Sequence, residues 1–395
     1  MILKELKIAN FRNYKSLNIK LSDRINIIYG NNAQGKTNIL ESIYVLGITK
    51  SHRSFIDDDL IMNGESASKI SGNIEKNGIN SLFEINLNKT KKKYKIDNDD
   101  IKKTSDYISN MNIIIFYPED LEIIKGSPGI RRKFLNLELS QLYNNYYRVL
   151  SDYNKLLKIR NDYLKKMQKN IKVDDNYFAI ITEYLIDKAV FIYRARNKFI
   201  NKLNSYASNI FFEIMHLEGF NLKYKTNLDL KDYSESEIKE QLKAKFESDK
   251  QLEIRLGNTL HGPHRDDFDF YLGENNLKCY GSQGQQRLAV ISIKLAEIEI
   301  FKNYSKTSPI LLLDDVFSEL DDEKKNNLLK YINDDIQTII TTTDLENIDE
   351  SIIKSSKLFK IEAGKVVEEK EEVEENDWTT LWCIGYSSLR RLRSS

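Results

Sequence analysis

Residues 30–37 read Gly30-Asn31-Asn32-Ala33-Gln34-Gly35-Lys36-Thr37, and Asn38 follows them. This stretch matches the phosphate-binding pattern G-x-x-x-x-G-K-[ST] at every fixed position. The apolar residues at 25–29 predict a strand before it, and those at 38–46 predict a helix after it. Glycines let backbone N–H groups wrap around phosphates, and the helix N-terminus adds the positive end of its dipole. We therefore expect all nine residues to contribute to a nucleotide-phosphate site.

Two residues of this stretch have specific roles, and both need an acidic partner elsewhere in the chain. Lys36 is expected to reach the β- and γ-phosphates, and the Thr37 hydroxyl is expected to ligate Mg²⁺. The apolar run at 310–313 predicts a buried strand that ends in Asp314 and Asp315. Asp314 would hold Mg²⁺ directly or through water, and Asp315 would polarise the attacking water.

A third motif, Ser282-x-Gly284-Gln285, opens an apolar helix upstream of the acidic strand. A serine hydroxyl, a glycine backbone and a helix N-terminus together make an anion site. The motif resembles the signature of ATP-binding-cassette (ABC) ATPases, which binds the γ-phosphate held by the opposite subunit. Since 278 residues separate Lys36 from Asp314, the layout resembles the SMC-like branch of these ATPases.

We therefore predict an α/β fold with an ABC-type P-loop ATPase head, assembled from both ends of the chain around an inserted α-helical arm lobe. The predicted parts are the N-terminal head at 1–125, the lobe at 126–250, the C-terminal head at 251–367 and a tail at 368–395. Apolar spacing at 128–216 predicts two helices of about 35–40 residues that pair as an arm. An ordinary helical bundle is the alternative.

One further segment matches the usual ABC pattern, and two positions depart from it. Ser318-Glu319-Leu320-Asp321 lies where a D-loop belongs, and threonines at 341–343 replace the usual switch histidine. Glu119 takes the place of the Q-loop glutamine, and we predict a catalytic role for it beside Asp315. These departures favour slow, switch-like hydrolysis over fast turnover.

The charge balance hides a segregated basic region. The chain has 60 Lys and Arg against 59 Asp and Glu, yet residues 131–210 have 16 against 7, a net charge of +9. A second basic run lies at 89–95 and is typical of one limb of a hairpin. Backbone-tracking DNA contacts need such cations, although a charge run is also typical of a solvated face. The candidate DNA contacts are Lys91, Lys92, Lys93, Arg148, Lys155 and Lys165.

The remaining composition favours the cytoplasm. The chain lacks an apolar run long enough for a membrane helix, and its start lacks the pattern of a signal peptide. Cys279 and Cys383 show no metal or redox spacing, which fits a reducing compartment. Trp378 and Trp382 follow 377 residues without tryptophan, so we expect a tail that is disordered or not native.

Motifs over roughly residues 1–365 resemble, in order, the bacterial RecF family of recombinational DNA repair proteins. They lie at 10–14, 30–41, 51–53, 116–121, 125–135, 262–267, 282–287 and 312–321. The resemblance implies a cytoplasmic protein that binds ATP and DNA, forms an ATP-dependent homodimer, and acts at gaps or single-strand/double-strand junctions. We expect a weak ATPase that DNA stimulates and that serves as a switch. It also implies that RecO and RecR are partners in loading RecA, with a role in replication and SOS induction.

The resemblance leaves some residue roles open. Arg12 and Asn13 are candidate phosphate or base contacts by analogy with SMC-like heads. The roles of Ser51-His52-Arg53 stay open, and His264 and Arg265 fit structural polar groups equally well.

Three other classes of protein compete with this interpretation. A transporter subunit would carry the missing glutamine and histidine, and an ATPase-coupled nuclease would need a further domain. An SMC-type structural clamp would need far longer arms, but such a DNA clamp, or an ATPase subunit of another DNA-processing complex, remains the alternative function.

Overall fold

The computed structural model describes residues 1–54, 56–319, 325, 328, 335–346 and 348–370. The chain divides into two compact units. The first unit comprises Met1–Lys102, Ile113–Tyr117 and the described residues from Ser308 onward. The second unit comprises Lys103–Asn112 and Pro118–Thr307.

The first unit is built on two six-stranded sheets. Its strands are β1 (Ile2–Phe11), β2 (Tyr14–Lys20), β3 (Ile25–Tyr29), β4 (Ala67–Lys76), β5 (Ile79–Asn88), β6 (Lys92–Ile96), β7 (Asp99–Ile101), β8 (Ile113–Phe116), β12 (Ile310–Asp314), β13 (Thr338–Thr342), β14 (Ser356–Glu362) and β15 (Lys365–Lys370). Its helices are α1 (Lys36–Ile48) and α11 (Glu350–Lys354). One sheet is antiparallel, in the order β2-β1-β4-β5-β6-β7.

The second sheet of this unit positions the site. Its order is β15-β14-β3-β13-β12-β8, and every pairing except β14–β15 is parallel. Strands β12 and β13 are buried along their whole length, as strands covered on both faces must be. Because parallel strands share one carboxyl edge, the loop after β3 and the ends of β12 and β13 meet there.

The second unit is mainly helical. Its helices are α2 (Ser105–Ile108), α3 (Glu122–Lys125), α4 (Pro128–Leu142), α5 (Tyr146–Gln168), α6 (Asp175–Met215), α7 (Glu235–Ser248), α8 (Lys250–Leu256), α9 (Leu277–Tyr280) and α10 (Gln283–Ser305). Its strands β9 (Phe220–Lys225), β10 (Asp267–Leu272) and β11 (Asn275–Asn276) form an antiparallel sheet in the order β11-β10-β9.

The predicted strands and helices around the phosphate loop are confirmed, but the first of the two predicted long helices is wrong. The backbone of Tyr143 is extended, which ends α4 after 15 residues, and α5 continues for only 23. The second predicted helix is α6, whose 41 residues start after Asp174 caps it. Since α6 contacts α5, α10 and β9, these helices form a packed lobe.

Some predicted boundaries differ from the observed ones. The second unit runs to Thr307, well past the predicted end of the lobe at 250, because α10 packs on α6. The predicted tail start at 368 falls within β15, which pairs with β14 up to Lys370. The rest of the tail, and Leu320 and Asp321 of the predicted D-loop, lie outside the described residues.

Buried ion pairs join α4, α5 and α6 of the second unit to α8 and to the start of β10. Arg131 makes a two-pronged contact with Asp267, and Arg196 contacts Asp266 at 3.2 Å. Arg160 contacts Glu253 at 2.6 Å, with both side chains almost fully buried. These three cations of the basic region therefore hold the lobe together and do not face solvent.

The sequence left open whether His264 has a functional role or is a structural polar group, and its contacts in the structure are those of a structural group. Its Nε2 lies 3.1 Å from the Thr259 carbonyl, which can only accept, so Nε2 is protonated and Nδ1 accepts from the Tyr153 hydroxyl at 2.6 Å. Burial lowers the pKa of His264 to about 4, despite the opposing hydrogen bond to Thr259. The ring is therefore neutral in the fold.

We expect this histidine to make the stability of the lobe depend on pH. The unfolded chain binds more protons than the fold between the ordinary pKa of 6.5 and the lowered one, so His264 destabilises the fold as pH falls through that window. Over the whole window the loss in the free energy of unfolding amounts to about 3 kcal/mol. Asp266, whose pKa burial raises to about 6, contributes the opposite slope. Urea unfolding of wild type and His264→Gln across this range isolates the histidine; equal pH slopes would contradict the assignment.

Candidate functional site

The phosphate loop connects β3 to α1 and depends on two glycines. Gly30 and Gly35 have φ values of 145° and 110°, a backbone region that side chains rarely adopt. A Cβ on Gly30 would lie 2.4 Å from the Ile361 carbonyl oxygen, and one on Gly35 would lie 2.5 Å from Asn13 Nδ2. The loop therefore packs closely against its surroundings, and only glycine fits at these two places.

The side chain of Lys36 curls back into the loop. Its Nζ donates to the carbonyls of Gly30 at 2.5 Å and Asn31 at 2.9 Å, and the residue is only 7% exposed. Burial lowers the pKa of Lys36, and the charges of Asp315 and Asp314 partly oppose that shift. An ammonium that is desolvated in this way gains strongly from a phosphate partner, because few water molecules compete for it.

The two predicted metal ligands lie together. Thr37 Oγ1 donates to Asp314 Oδ1 at 2.9 Å, and Thr341 Oγ1 donates to the same oxygen at 2.7 Å. Burial raises the pKa of Asp314, while both hydroxyl hydrogen bonds lower it. A hydroxyl and a carboxylate at the mouth of a phosphate loop are hard oxygen donors of the kind that Mg²⁺ prefers, so the residues fit this ion.

Asp315 follows Asp314 in a left-handed backbone conformation, with φ of 52°. Its N–H donates to the carbonyl and the hydroxyl oxygen of Thr341 on the neighbouring strand, at 3.2 and 3.1 Å. This backbone anchoring turns the chain at the end of β12, so that Asp315 also faces the phosphate loop. Residues held in such sparsely populated backbone regions are concentrated at functional sites.

The loop and the two aspartates line one cavity of about 290 Å³. It is lined by Asn13, Asn32, Ala33, Gln34, Gly35, Lys36, Thr37, Asn38, Arg53, Asp314, Asp315 and Thr341. Gly30 and Asn31 contribute through the carbonyls that hold Lys36. The structure thus brings together the residues predicted from the loop and from the acidic strand.

Two residues of this cavity, Arg53 and Thr341, were not predicted to bind the nucleotide, and a third, Asn13, was predicted by analogy as a phosphate or base contact. Asn38 links two of them, since its Nδ2 donates to Asn13 Oδ1 at 2.8 Å and its Oδ1 accepts from Arg53 at 3.0 Å. Arg53 lies in a motif of unassigned role, and Thr341 lies where a switch histidine is usual. These two positions in the motifs were the sequence signal for Arg53 and Thr341.

Arg12 lies beside the cavity and does not line it. Its guanidinium makes a two-pronged contact with Glu41 at 2.9 and 2.7 Å, and Ser51 Oγ donates to the same carboxylate at 2.5 Å. Burial raises the pKa of Glu41, but the hydrogen bonds from Arg12 and Ser51 outweigh it, and the net pKa is lowered. Arg12 and Ser51 therefore fix the helix that carries Lys36 and Thr37.

The remaining predicted catalytic and nucleotide residues belong to the second unit. Glu119 is exposed in a 3₁₀ turn at Pro118–Leu121. Ser282 and Gln285 form a reciprocal cap at the start of α10, in which Ser282 Oγ accepts from the Gln285 N–H and Gln285 Oε1 accepts from the Ser282 N–H. Gly284 is exposed, and a Cβ there would meet nothing within 4 Å.

The predicted DNA contacts divide into exposed and internal residues. The prediction that Lys92 contacts DNA does not fit the structure, because its side chain is only 11% exposed. The ammonium of Lys92 donates to the Thr49 carbonyl at 2.7 Å and to Asp57 at 2.6 Å. Strand alternation turns it inward between its two neighbours. The other five candidates are exposed: Lys91, Lys93, Arg148, Lys155 and Lys165.

Comparison with known proteins agrees with this geometry. The family model described as RecF/RecN/SMC N terminal domain matches residues 2–366. The chain is 42% identical over 367 residues to the DNA replication and repair protein RecF of Listeria monocytogenes serotype 4b, covering 93% of this chain and 99% of the relative. It is also 42% identical over 368 residues to the protein of the same name from Bacillus mycoides, covering 93% and 98%.

Solved structures show the same likeness. The recombination mediator protein RecF-ATP of the RecFOR pathway matches with a TM-score of 0.87 and 33% identity, over 93% of this chain and 97% of that one. An Smc head domain from Pyrococcus furiosus matches with a TM-score of 0.50 and 15% identity, over 98% and 99%, and shows the fold alone. The predicted ABC-type head with an inserted helical lobe is thereby confirmed, and the chain belongs to the RecF family.

Proposed function

We propose that this protein is an ATP-dependent DNA-binding protein of DNA replication and recombinational repair. The observation that carries the proposal is the single cavity that joins Lys36 of the phosphate loop to Asp314 and Asp315. The relatives named above, which are replication and repair proteins, support the DNA role. The described residues contain no helix long and apolar enough to cross a membrane, and the repair relatives favour a cytoplasmic location.

The site residues divide the work of ATP binding and hydrolysis. Lys36, already desolvated, would exchange its two carbonyl partners for phosphate oxygens. Thr37 and Asp314 would hold Mg²⁺, which supplies charge neutralisation at the phosphates when bound. Asp315 would orient and deprotonate the attacking water, and Glu119 remains a second candidate for that role. Slow turnover follows if Thr341, lacking a titratable ring, replaces the switch histidine.

Dimerisation is the step that would make ATP a switch. The start of α10 is a solvent-exposed helix N-terminus at which Ser282 and Gly284 are accessible, and a helix N-terminus attracts phosphate. In ABC ATPases this motif binds the γ-phosphate held by the opposite subunit. We propose the same contact here, so that two copies would close around two ATP molecules.

The DNA-bound dimer would act at gaps or junctions between single-stranded and duplex DNA. The exposed cations Lys91, Lys93, Arg148, Lys155 and Lys165 would contact backbone phosphates without reading sequence. The expected partners are RecO and RecR, which would place RecA on single strands, with SOS induction as the consequence. The name of the RecFOR pathway, given for the RecF-ATP structure, supports these partners.

A charge placed at Gly284 tests the dimer contact. We expect Gly284→Asp to fold normally, because the added side chain meets open space and an acidic residue is favourable at a helix N-terminus. It should still bind ATP but fail to dimerise, since its carboxylate would repel the γ-phosphate. Light scattering with and without ATP measures this, with Gly284→Ala as the matched control, followed by binding of wild type to gapped DNA. Wild-type monomers that ignore both ATP and DNA would refute the proposed function.

A further inference from the structure

A second cavity, of about 450 Å³, lies wholly within the helical unit and has no part in the nucleotide site. We propose that it holds an unpaired nucleotide of single-stranded DNA, with the base against aromatic side chains and the phosphate against two cations. The inference rests on the proposed DNA binding and assigns its single-strand component to one place. The residues that carry it are Tyr143, Phe191, Tyr233, Arg194, Lys198 and Asn197.

Three aromatic rings line this cavity. Tyr143 follows α4, Phe191 lies on α6, and Tyr233 lies in the loop before α7. Each is only partly exposed. Aromatic rings partly open to solvent give nucleic-acid bases a stacking surface that tolerates any sequence, because every base has a π-face.

These rings are held in place before any ligand binds. Tyr143 packs edge-on against Tyr304 with 5.0 Å between ring centres, and Phe191 packs against Tyr146 at 6.2 Å. Tyr233 stacks on Tyr224 at 6.1 Å. A preorganised aromatic wall loses little side-chain entropy on binding, which favours a specific ligand site.

Tyr233 is further fixed by its backbone. Its φ of 55° lies in the left-handed region, which is uncommon for a bulky side chain. The Glu237 carboxylate accepts its N–H at 3.0 Å and holds this conformation. The loop therefore presents the ring toward the cavity by means of a locally unfavourable backbone.

Two cations, one helical turn apart, lie at the same cavity. Arg194 and Lys198 are exposed on α6, and neither forms an ion pair with any other residue in the described ranges. Their neighbour Arg196 is buried and paired, so the difference is set by the helical face. The carboxylate that lines the cavity, Asp232, already accepts the N–H of Ser234 at 2.7 Å.

The chemistry of the lining selects the ligand. Two unpaired cations next to three rings match an anionic group attached to a flat, apolar ring system, which describes a nucleotide. The side-chain amide of Asn197 can donate to and accept from a base edge. A cavity of this volume lies in the range that holds a ligand of this size. A paired base would not fit, because its ring is stacked and its edge is occupied.

Photocrosslinking locates the site directly. A short single-stranded oligodeoxynucleotide carrying 5-iodouracil should crosslink to peptides containing Tyr143, Phe191 or Tyr233. The same crosslink should be lost when the iodouracil is paired in a duplex. Crosslinks confined to other segments of the chain would overturn the proposal.

Binding measurements separate the base contact from the phosphate contact. Tyr233→Ala should weaken single-strand binding about 5- to 150-fold, in line with base stacking on one ring. An oligonucleotide of abasic sites should show no such loss. Arg194→Ala/Lys198→Ala should weaken both ligands and reduce the salt slope by roughly 0.7 for each lost phosphate contact.

The matched control is Lys245→Ala/Lys250→Ala, which removes two exposed lysines of the same unit. If the cavity and control variants bind single strands equally, the inference is wrong even though duplex binding and ATP-dependent dimerisation persist. If wild type binds no DNA at all, the proposed function fails instead. An acidic peptide is the rival ligand for this cavity. If such a peptide displaces the oligonucleotide and protects Tyr233, whereas DNA does not protect Tyr233, the inference is also overturned.

Discussion

Replacement of Lys36 by arginine is expected to lower ATP turnover by about 10²- to 10³-fold, the loss typical of removing one preorganised charge-stabilising donor. The ammonium of Lys36 fits between the carbonyls of Gly30 and Asn31 and is almost fully buried. A planar guanidinium is larger and cannot take that position while the glycine loop keeps its close packing. The positive charge remains near the phosphates, so ATP binding should weaken far less than hydrolysis.

Steady-state hydrolysis and binding of a fluorescent ATP analogue measure the two effects separately. Lys20→Arg, at an exposed position of β2 in the same unit, is the matched control and should leave both unchanged. A Lys36→Arg protein that hydrolyses ATP at the rate of wild type would contradict the role assigned to this lysine.

Features predicted correctly from the sequence are those encoded in contiguous residues. The phosphate loop is eight consecutive residues between a strand and a helix, and Asp314 follows four consecutive apolar residues. Each pattern depends on local backbone chemistry, so no knowledge of the tertiary fold was needed. The α/β head could be inferred because these two patterns require a shared sheet edge.

Features that depend on strand order could not be predicted in the same way. Thr341 reaches Asp314 only because β13 lies beside β12 with these two residues in register. Arg53 enters the cavity through its contact with Asn38, which depends on how the loop after α1 folds back. A single sequence shows neither arrangement.

Two errors have simple physical causes. The break at Tyr143 interrupts an apolar spacing that continues on both sides, so periodicity alone predicted one long helix. Lys92 belongs to a run of like residues, in which the inward-facing member cannot be recognised by type. In the structure the carbonyl of Thr49 and the carboxylate of Asp57 give this lysine internal partners.

The cations of the helical lobe lie in two kinds of environment, exposed and buried, and two neighbouring arginines of α6 illustrate the difference. Arg194 faces the solvent at the aromatic cavity, whereas Arg196 is buried and bonded to Asp266, Asn136 and the Pro263 carbonyl. Net charge along the chain therefore overstates the surface available to DNA. The two arginines allow the exposed and the buried environment to be compared on one helix.

Arg196→Met is expected to lower the free energy of unfolding of the lobe by about 3–5 kcal/mol, because it leaves a buried carboxylate without its partner. Asp266 would keep only the hydrogen bond from Tyr224, and the Pro263 carbonyl would lose its donor. Methionine fills a similar volume, so the loss reports the missing interactions more than a cavity. Arg194→Met, two residues away and exposed, should change stability by no more than about 0.5 kcal/mol.

The dependence of this loss on pH distinguishes a missing charge partner from general damage to packing. Burial raises the pKa of Asp266 to about 6 even with Arg196 present, and removing the arginine raises that pKa further. Asp266 of the variant then becomes neutral as pH falls, and the penalty of an unpaired buried charge disappears. The difference in the free energy of unfolding between Arg196→Met and wild type should therefore shrink from pH 7 toward pH 5. Urea unfolding at both pH values measures it. A difference that stays constant with pH, or that Arg194→Met reproduces, would show that Arg196 does not stabilise the lobe through its charge.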